Sequence, residues 1–183
     1  MEWIGYDGVP VLESKLIAPE LPAAAMFTER LRRLEIAVRR CTLIVAPAGY
    51  GKTTAALLAL DRLGAQVCWY RLEKEDARFQ VFAAHLVGSL FQKADGAGAL
   101  QSAGFLSRAA QDIELFDPAL CHDAWAHFGR DPARAPVCLV LDNFHHAANQ
   151  SRIGRCVRYM LSNMPPCVRV VLISREPTGL EED

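Results

Sequence analysis

Residues 46–54 read Ala-Pro-Ala-Gly-Tyr-Gly-Lys-Thr-Thr, the spacing GxxxxGK(S/T) with alanine where the first glycine usually stands. Gly49 and Gly51 let the backbone bend until successive N–H groups point inward at phosphate oxygens. A helix opening near Thr53 would add the positive end of its dipole. Ala48, Gly49, Tyr50, Gly51, Lys52, Thr53 and Thr54 are therefore the candidate phosphate-binding set. Lys52 is placed to reach the β- and γ-phosphates as a point charge, and the Thr53 hydroxyl to ligate Mg²⁺. The expected ligand is ATP or ADP with Mg²⁺. Ala46 falls at a strand end, where a Cβ is tolerable at negative φ, so it weakens the pattern more than the mechanism. The bland alternative is a glycine-rich turn with an incidental lysine. The strand before the loop and the helix after it favour the phosphate site.

A second feature lies 90 residues beyond Lys52, where Val137-Cys-Leu-Val-Leu-Asp142 ends a buried apolar run with a carboxylate. Open α/β sheets place ligands at the carboxyl ends of their strands. Asp142 would hold Mg²⁺ by hard-oxygen ligation, which makes Thr53 and Asp142 the candidate metal residues. Alone, such an aspartate would be read as the cap of the next turn. Beside a phosphate loop it reads as the other half of a nucleotide site.

Positioning these groups requires alternating strands and helices. Cys41–Ala46 reads as a strand, residues 53–63 as a helix closed by Gly64, residues 67–72 as a strand, and residues 79–91 as a helix. Residues 137–142 and 168–173 read as further strands around a helix over 153–163 that Pro165 and Pro166 stop. Continuous apolar strands separated by helices imply a parallel sheet covered on both faces. Residues 1–25, with Gly8, Pro10, Pro19 and Pro22, read as an extended arm, and residues 27–40 as an arginine-rich helix. Residues 94–104 read as a flexible connection and residues near 117–129 as a helix.

The chain has 183 residues, 20 Lys+Arg against 21 Asp+Glu, and 51% apolar residues. That composition supports one globular core and argues against a surface built to grip a nucleic-acid backbone. Cysteines at 41, 68, 121, 138, 156 and 167 form no CxxC pair and read as reduced core residues of a cytoplasmic protein. No signal peptide or membrane-spanning run is visible. His85, with apolar neighbours, is expected to be packed, and adjacent His145 and His146 to point in different directions.

Several features converge in order: Ser14-Lys15-Leu16 with Pro19, Arg30-Leu31, the 46–54 loop, Trp69-Tyr-Arg-Leu72, Asp76 with Arg78-Phe79, Leu141-Asp-Asn-Phe-His145, and Ser174-Arg175-Glu-Pro177. Together they resemble the nucleotide-binding domain of MalT-like, large LuxR-type transcriptional activators, a branch of the STAND ATPases. The resemblance spans nearly the whole chain. It implies a P-loop NTPase core over residues 26–183, of the division in which a further strand separates the two motif strands in the sheet, and it disfavours a small-molecule kinase. It also implies a switch: ADP holds a resting form, and ATP with an inducer favours a form that self-associates. DNA is read by a C-terminal domain, so no direct DNA contact is expected from this segment. Arg175 matches the family's sensor position toward the γ-phosphate.

Besides a connection over Asp76-Ala-Arg78-Phe79 that is shorter than the family's, two departures stand out. The family usually carries paired acids after the second motif strand, and this chain has Asn143 in the second place, where a carboxamide cannot accept a proton from water at neutral pH. Asp142, Asn143 and Arg175 are thus the candidate catalytic positions, with Glu73 or His145 as substitute bases, and slow or absent hydrolysis is expected. The chain also ends at Asp183, after the fourth core strand, where the family continues with a fifth strand, lid, repeats and DNA-binding region. The expectation is a core incomplete at the C-terminus. The competing readings are an active Mg-dependent ATPase and a non-functional remnant.

Overall fold

The computed structural model describes residues 3–6, 9–36, 38–91 and 137–180. Four parallel strands form the central sheet: β3 (Cys41–Val45), β4 (Gln66–Arg71), β5 (Val137–Asp142) and β6 (Val168–Ser174), in the spatial order β3-β6-β5-β4. The strand latest in sequence is thus inserted between β3 and β5, so the strand that leads into the 46–54 loop and the strand that ends in Asp142 are separated by one neighbour. All six residues of β5 are buried, as a strand covered on both faces requires.

The side-chain alternation divides the sheet cleanly. Tyr70, Leu139, Leu141, Val170 and Leu172 face one cluster, while Trp69, Cys138, Val140, Val171 and Ile173 face the other. Helix α3 (Lys52–Leu63) covers the second face with Ala56 and Leu60. It stops where Gly64 turns left-handed at φ 59° and its N–H bonds the Asp61 carbonyl. The first face is covered by α4 (Phe79–Phe91) and α6 (Ser151–Asn163), with the four-residue α5 (His145–Ala148) between β5 and α6. In α6 the buried residues Ile153, Cys156, Val157 and Met160 follow the i, i+3, i+4, i+7 stripe of an amphipathic helix. Each such buried aliphatic side chain contributes roughly 1.5–3 kcal/mol of transfer free energy.

Two sequence expectations change. The segment expected as an extended arm is instead a hairpin, β1 (Trp3–Tyr6) against β2 (Val9–Leu12), followed by the helical turn α1 (Glu13–Leu16). A two-stranded sheet tolerates Pro10, which sits opposite Gly5. The segment is docked on α4: Val11 and Leu16 are buried, and a Cβ on Gly88 would lie 3.1 Å from Leu16 Cδ1 and 3.2 Å from Val11 Cγ1. The glycine permits that close approach.

The helix expected over 27–40 is only α2 (Glu29–Arg32). Glu35 adopts a left-handed φ of 48°, which breaks the helix and carries Ile36 into the α3-side core while Val38 stays 76% exposed. The stretch holds five arginines, Arg30, Arg32, Arg33, Arg39 and Arg40. A continuous helix would set Arg30 against Arg33 at i,i+3 spacing. Expectations for residues 94–104 and 117–129, with Cys121, His122, Trp125 and His127, lie outside the described residues.

Candidate functional site

The loop from Ala46 to Gly51 leaves the carboxyl end of β3 and enters α3 directly. Gly49 and Gly51 have φ of 81° and 69°. An added Cβ would meet nothing within 4 Å at either position, so what demands glycine is the left-handed backbone and not space. Pro47, Ala48, Gly49, Tyr50 and Gly51 are exposed, Tyr50 at 74%, and Lys52, Thr53 and Thr54 form the half-buried first turn of α3. No side chain caps that turn and no acidic residue lies in it, which leaves its leading N–H groups without an intrahelical partner. Lys52 Nζ is folded over the loop, donating to the Pro47 carbonyl at 2.8 Å.

Asp142 ends β5 and is 4% exposed. The Thr53 hydroxyl lies 3.3 and 3.2 Å from its two carboxylate oxygens, across 89 positions of sequence. The Asn143 N–H donates to Oδ1 at 2.9 Å. Burial raises the Asp142 carboxyl above its ordinary value of 3.8, against the opposing effects of the Thr53 and Asn143 hydrogen bonds and the charges of Arg71 and Lys52. A desolvated carboxylate and a hydroxyl therefore converge as hard oxygen donors, and their spacing is close to the ~2.9 Å between adjacent ligands of an octahedral ion bonded at ~2.0–2.1 Å. The residues fit Mg²⁺.

Asn143 itself has a left-handed φ of 60°. Asparagine is among the few residues that adopt this conformation readily. The turn lets the Phe144 N–H bond the Ile173 carbonyl of β6 at 2.8 Å and starts α5. His145 and His146 do not diverge as expected: their rings meet at 4.2 Å between centroids, tilted by 36°. Both lie in the first turn of a helix that begins immediately after the left-handed residue, and the rings fold onto one another. Burial lowers the His145 pKa, as do the charges of His146, Arg175 and Lys52, with Glu176 opposing. Arg175 is exposed just after β6, in a turn where the Glu176 N–H bonds the Ser174 hydroxyl at 3.2 Å.

Thr53 and Asp142 are thus in contact, the charge of Lys52 acts on Asp142, and Arg175 and His145 flank the same sheet edge. Glu73 is otherwise engaged. Its carboxylate lies 3.2 Å from Lys15 Nζ, and it caps the 3-10 turn Lys74–Ala77 in a reciprocal box with Asp76. Sequence reasoning missed the cluster to which it belongs: buried Lys15 pairs with fully buried Asp76 at 2.7 Å, beside Tyr70 and His85. The available signal was the pair of charges bracketing apolar runs, which spacing alone does not join across 61 positions.

No family model matches the chain. Among curated proteins it is 31% identical over 175 residues to the HTH-type transcriptional regulator MalT of Serratia proteamaculans (strain 568), covering 93% of this chain and 18% of that protein. It is 30% identical over 175 residues to the regulator of the same name from Yersinia enterocolitica, and 30% identical over 168 residues to that of Yersinia pestis (strain Pestoides F). The chain is similar to MalT regulators along nearly its whole length. It spans 18% of the length of each of these MalT proteins. Among the described residues no helix is long and apolar enough to cross a membrane. Cys68, Cys138 and Cys156 are buried and Cys41 and Cys167 half-buried; burial pushes the Cys41 and Cys138 thiols up to about 11, so both stay protonated at neutral pH.

Proposed function

We propose that this chain is a nucleotide-binding module of a MalT-like transcriptional regulator, holding ATP or ADP with Mg²⁺ and turning it over slowly or not at all. The observation that carries this reading is the Thr53–Asp142 contact below a loop with two left-handed glycines, at the carboxyl edge of a parallel sheet. On binding, Lys52 would leave the Pro47 carbonyl for phosphate oxygens, and the uncapped N–H groups of α3 would take the place of solvent around them. Mg²⁺ held by Thr53 and Asp142 would neutralise charge on the β- and γ-phosphates. Asn143 orients a turn but takes no proton, so the module is suited to holding a nucleotide state. The likeness to proteins named as transcriptional regulators supports a role in transcription, with DNA contacts made elsewhere in the regulator.

The test is a thermal or chemical unfolding series with Mg·ATP and Mg·ADP. A ligand that binds only the folded state stabilises it by about 2.7 kcal/mol at a hundredfold excess over Kd. Lys52→Ala is expected to lose most of that gain. An equal gain in the variant would overturn the phosphate-loop reading.

A further inference from the structure

Away from the proposed nucleotide site, the segment 9–16 is fastened to the body of the domain by two polar contacts, one part-buried and one buried. The first is His85, 1% exposed on α4, whose Nε2 accepts the Leu12 N–H at 3.0 Å. Because Nε2 accepts, the ring proton is on Nδ1, which donates to the Val81 carbonyl of its own helix at 2.8 Å. The second is Lys15, 3% exposed, whose Nζ lies 2.7 Å from Asp76 Oδ2 and 3.2 Å from Glu73 Oε2. The two contacts share a carboxylate, since the other oxygen of Asp76 lies 3.6 Å from His85 Nδ1. Tyr70 of β4 stacks on the imidazole at 5.4 Å between centroids. The groups facing His85 are therefore Lys15 from α1, Asp76 and Glu73 from the connection after β4, and Tyr70 from the sheet.

We propose that His85 is a proton-controlled latch for the N-terminal hairpin: neutral, it holds Leu12; protonated, it lets go of segment 9–16. The logic is one of donors and acceptors. A proton added at Nε2 turns the only acceptor on the ring into a donor facing the Leu12 N–H, and rotating the ring does not help because both nitrogens then carry hydrogen. The same imidazolium sets a second positive charge beside Lys15, across the two oxygens of one carboxylate, so the second fastening weakens with the first by like-charge repulsion. Opening the segment gives the charged ring access to water, which the closed state denies it.

The direction of the linkage follows from the site. Burial lowers the His85 pKa below 6.5, aided by the charge of Lys15 and opposed by the Val81 carbonyl, Asp76 and Glu73. The closed form thus binds the proton more weakly than the open form. The latch is fully closed above the ordinary imidazole value and weakens as pH falls from there to the lowered value. Within that window, the protection of the Leu12 amide against hydrogen exchange, corrected for intrinsic rate, is expected to fall about tenfold per pH unit. Outside it, protection is flat.

The experiment is amide exchange at Leu12, with the His85 ring followed by NMR, on the whole chain between pH 7.5 and 5. His85→Gln supplies an acceptor that does not titrate and is expected to keep Leu12 protected across the series. His85→Phe supplies none and is expected to leave Leu12 unprotected at every pH. If the phenylalanine variant fails to fold, the wild-type series and the glutamine variant decide the matter. Flat protection while the ring titrates would overturn the latch, as would the same pH dependence in His85→Gln. So would a ring that takes up no proton before the whole fold is lost.

Discussion

Lys15→Met asks how much of the fold rests on one buried ion pair. The ammonium is 4% exposed as a side chain, Asp76 is fully buried, and 2.7 Å separates them. Methionine keeps the length and apolar stem of lysine, so the substitution removes charge with little change of volume. What remains is a carboxylate whose Oδ2 accepts only the Glu73 N–H, at 2.6 Å, and whose Oδ1 has no hydrogen-bond partner. Glu73, half-exposed, turns to water and adds little. Stranding one member of a buried pair costs about 3–5 kcal/mol, against a total stability of roughly 5–15 kcal/mol for such a domain. At about 2–4 °C per kcal/mol for a chain of this size, Tm should drop by about 6–20 °C. Lys15→Met/Asp76→Leu removes both charges and should recover all but the cap to the Glu73 N–H, about 1 kcal/mol. Urea unfolding followed by circular dichroism and by the fluorescence of buried Trp69 measures all three proteins. A cost below about 1 kcal/mol, the value of an exposed pair, would refute the reasoning. So would a double variant no more stable than the single one.

Three further outcomes are expected. Asn143→Asp keeps a residue tolerant of the left-handed turn and restores an acid, so phosphate release from Mg·ATP should rise from a wild-type rate well below about 1 s⁻¹; brisk wild-type release would show that another group activates water. Asp142→Asn should stabilise the ligand-free chain at neutral pH and abolish the Mg²⁺-dependent part of nucleotide stabilisation. The sign is that of a raised carboxyl: the charged form is disfavoured above 3.8 and relieved as pH falls through the folded value, so the variant should also flatten the acid limb of the stability profile. Finally, among the described residues β3 pairs on one side only, with β6, and Val45 is 41% exposed, so the chain should self-associate as concentration rises; a monodisperse monomer by light scattering across the micromolar range would contradict that.

What could be read in the sequence follows from how each element is stabilised. Strands β5 and β6 are legible because burial on both faces demands apolar runs, β3 and β4 because short β-branched or aromatic runs border on turn residues, and α3 and α6 because Gly64 and the pair Pro165-Pro166 mark their ends. Thr53 and Asp142 were legible as partners because each carries a motif of its own. The hairpin and α1 were not, since they are held by single long-range contacts: Val11 and Leu16 against Gly88, Leu12 on His85, Lys15 on Asp76. A lone lysine near the N-terminus reads as solvated, and only a carboxylate brought to it by the turn after β4 makes it a core residue. Glu35 was missed for the opposite reason: helical spacing continued past a point where the backbone gains more by turning Ile36 inward.

Asn143 shows how the two kinds of reasoning bear on one residue. Read as chemistry, it is a missing acid. Read as geometry, it is a residue suited to φ 60°, whose backbone N–H helps hold the Asp142 carboxylate and whose turn brings the Phe144 N–H to the Ile173 carbonyl. The second reading gives a physical reason for its presence that owes nothing to hydrolysis. Asp142, by contrast, is buried at the carboxyl edge of the sheet, where desolvation disfavours its charge against the hydrogen bonds of Thr53 and Asn143, and the nearby Lys52 is turned back on Pro47. Under the proposed function that cost would be offset on binding, when Thr53, Lys52 and the start of α3 would hold the cation and phosphates of a nucleotide. If Asp142→Asn stabilised the chain and left Mg·ATP stabilisation intact, the buried carboxylate would have no such role, and the nucleotide reading would rest on Lys52 and the loop alone.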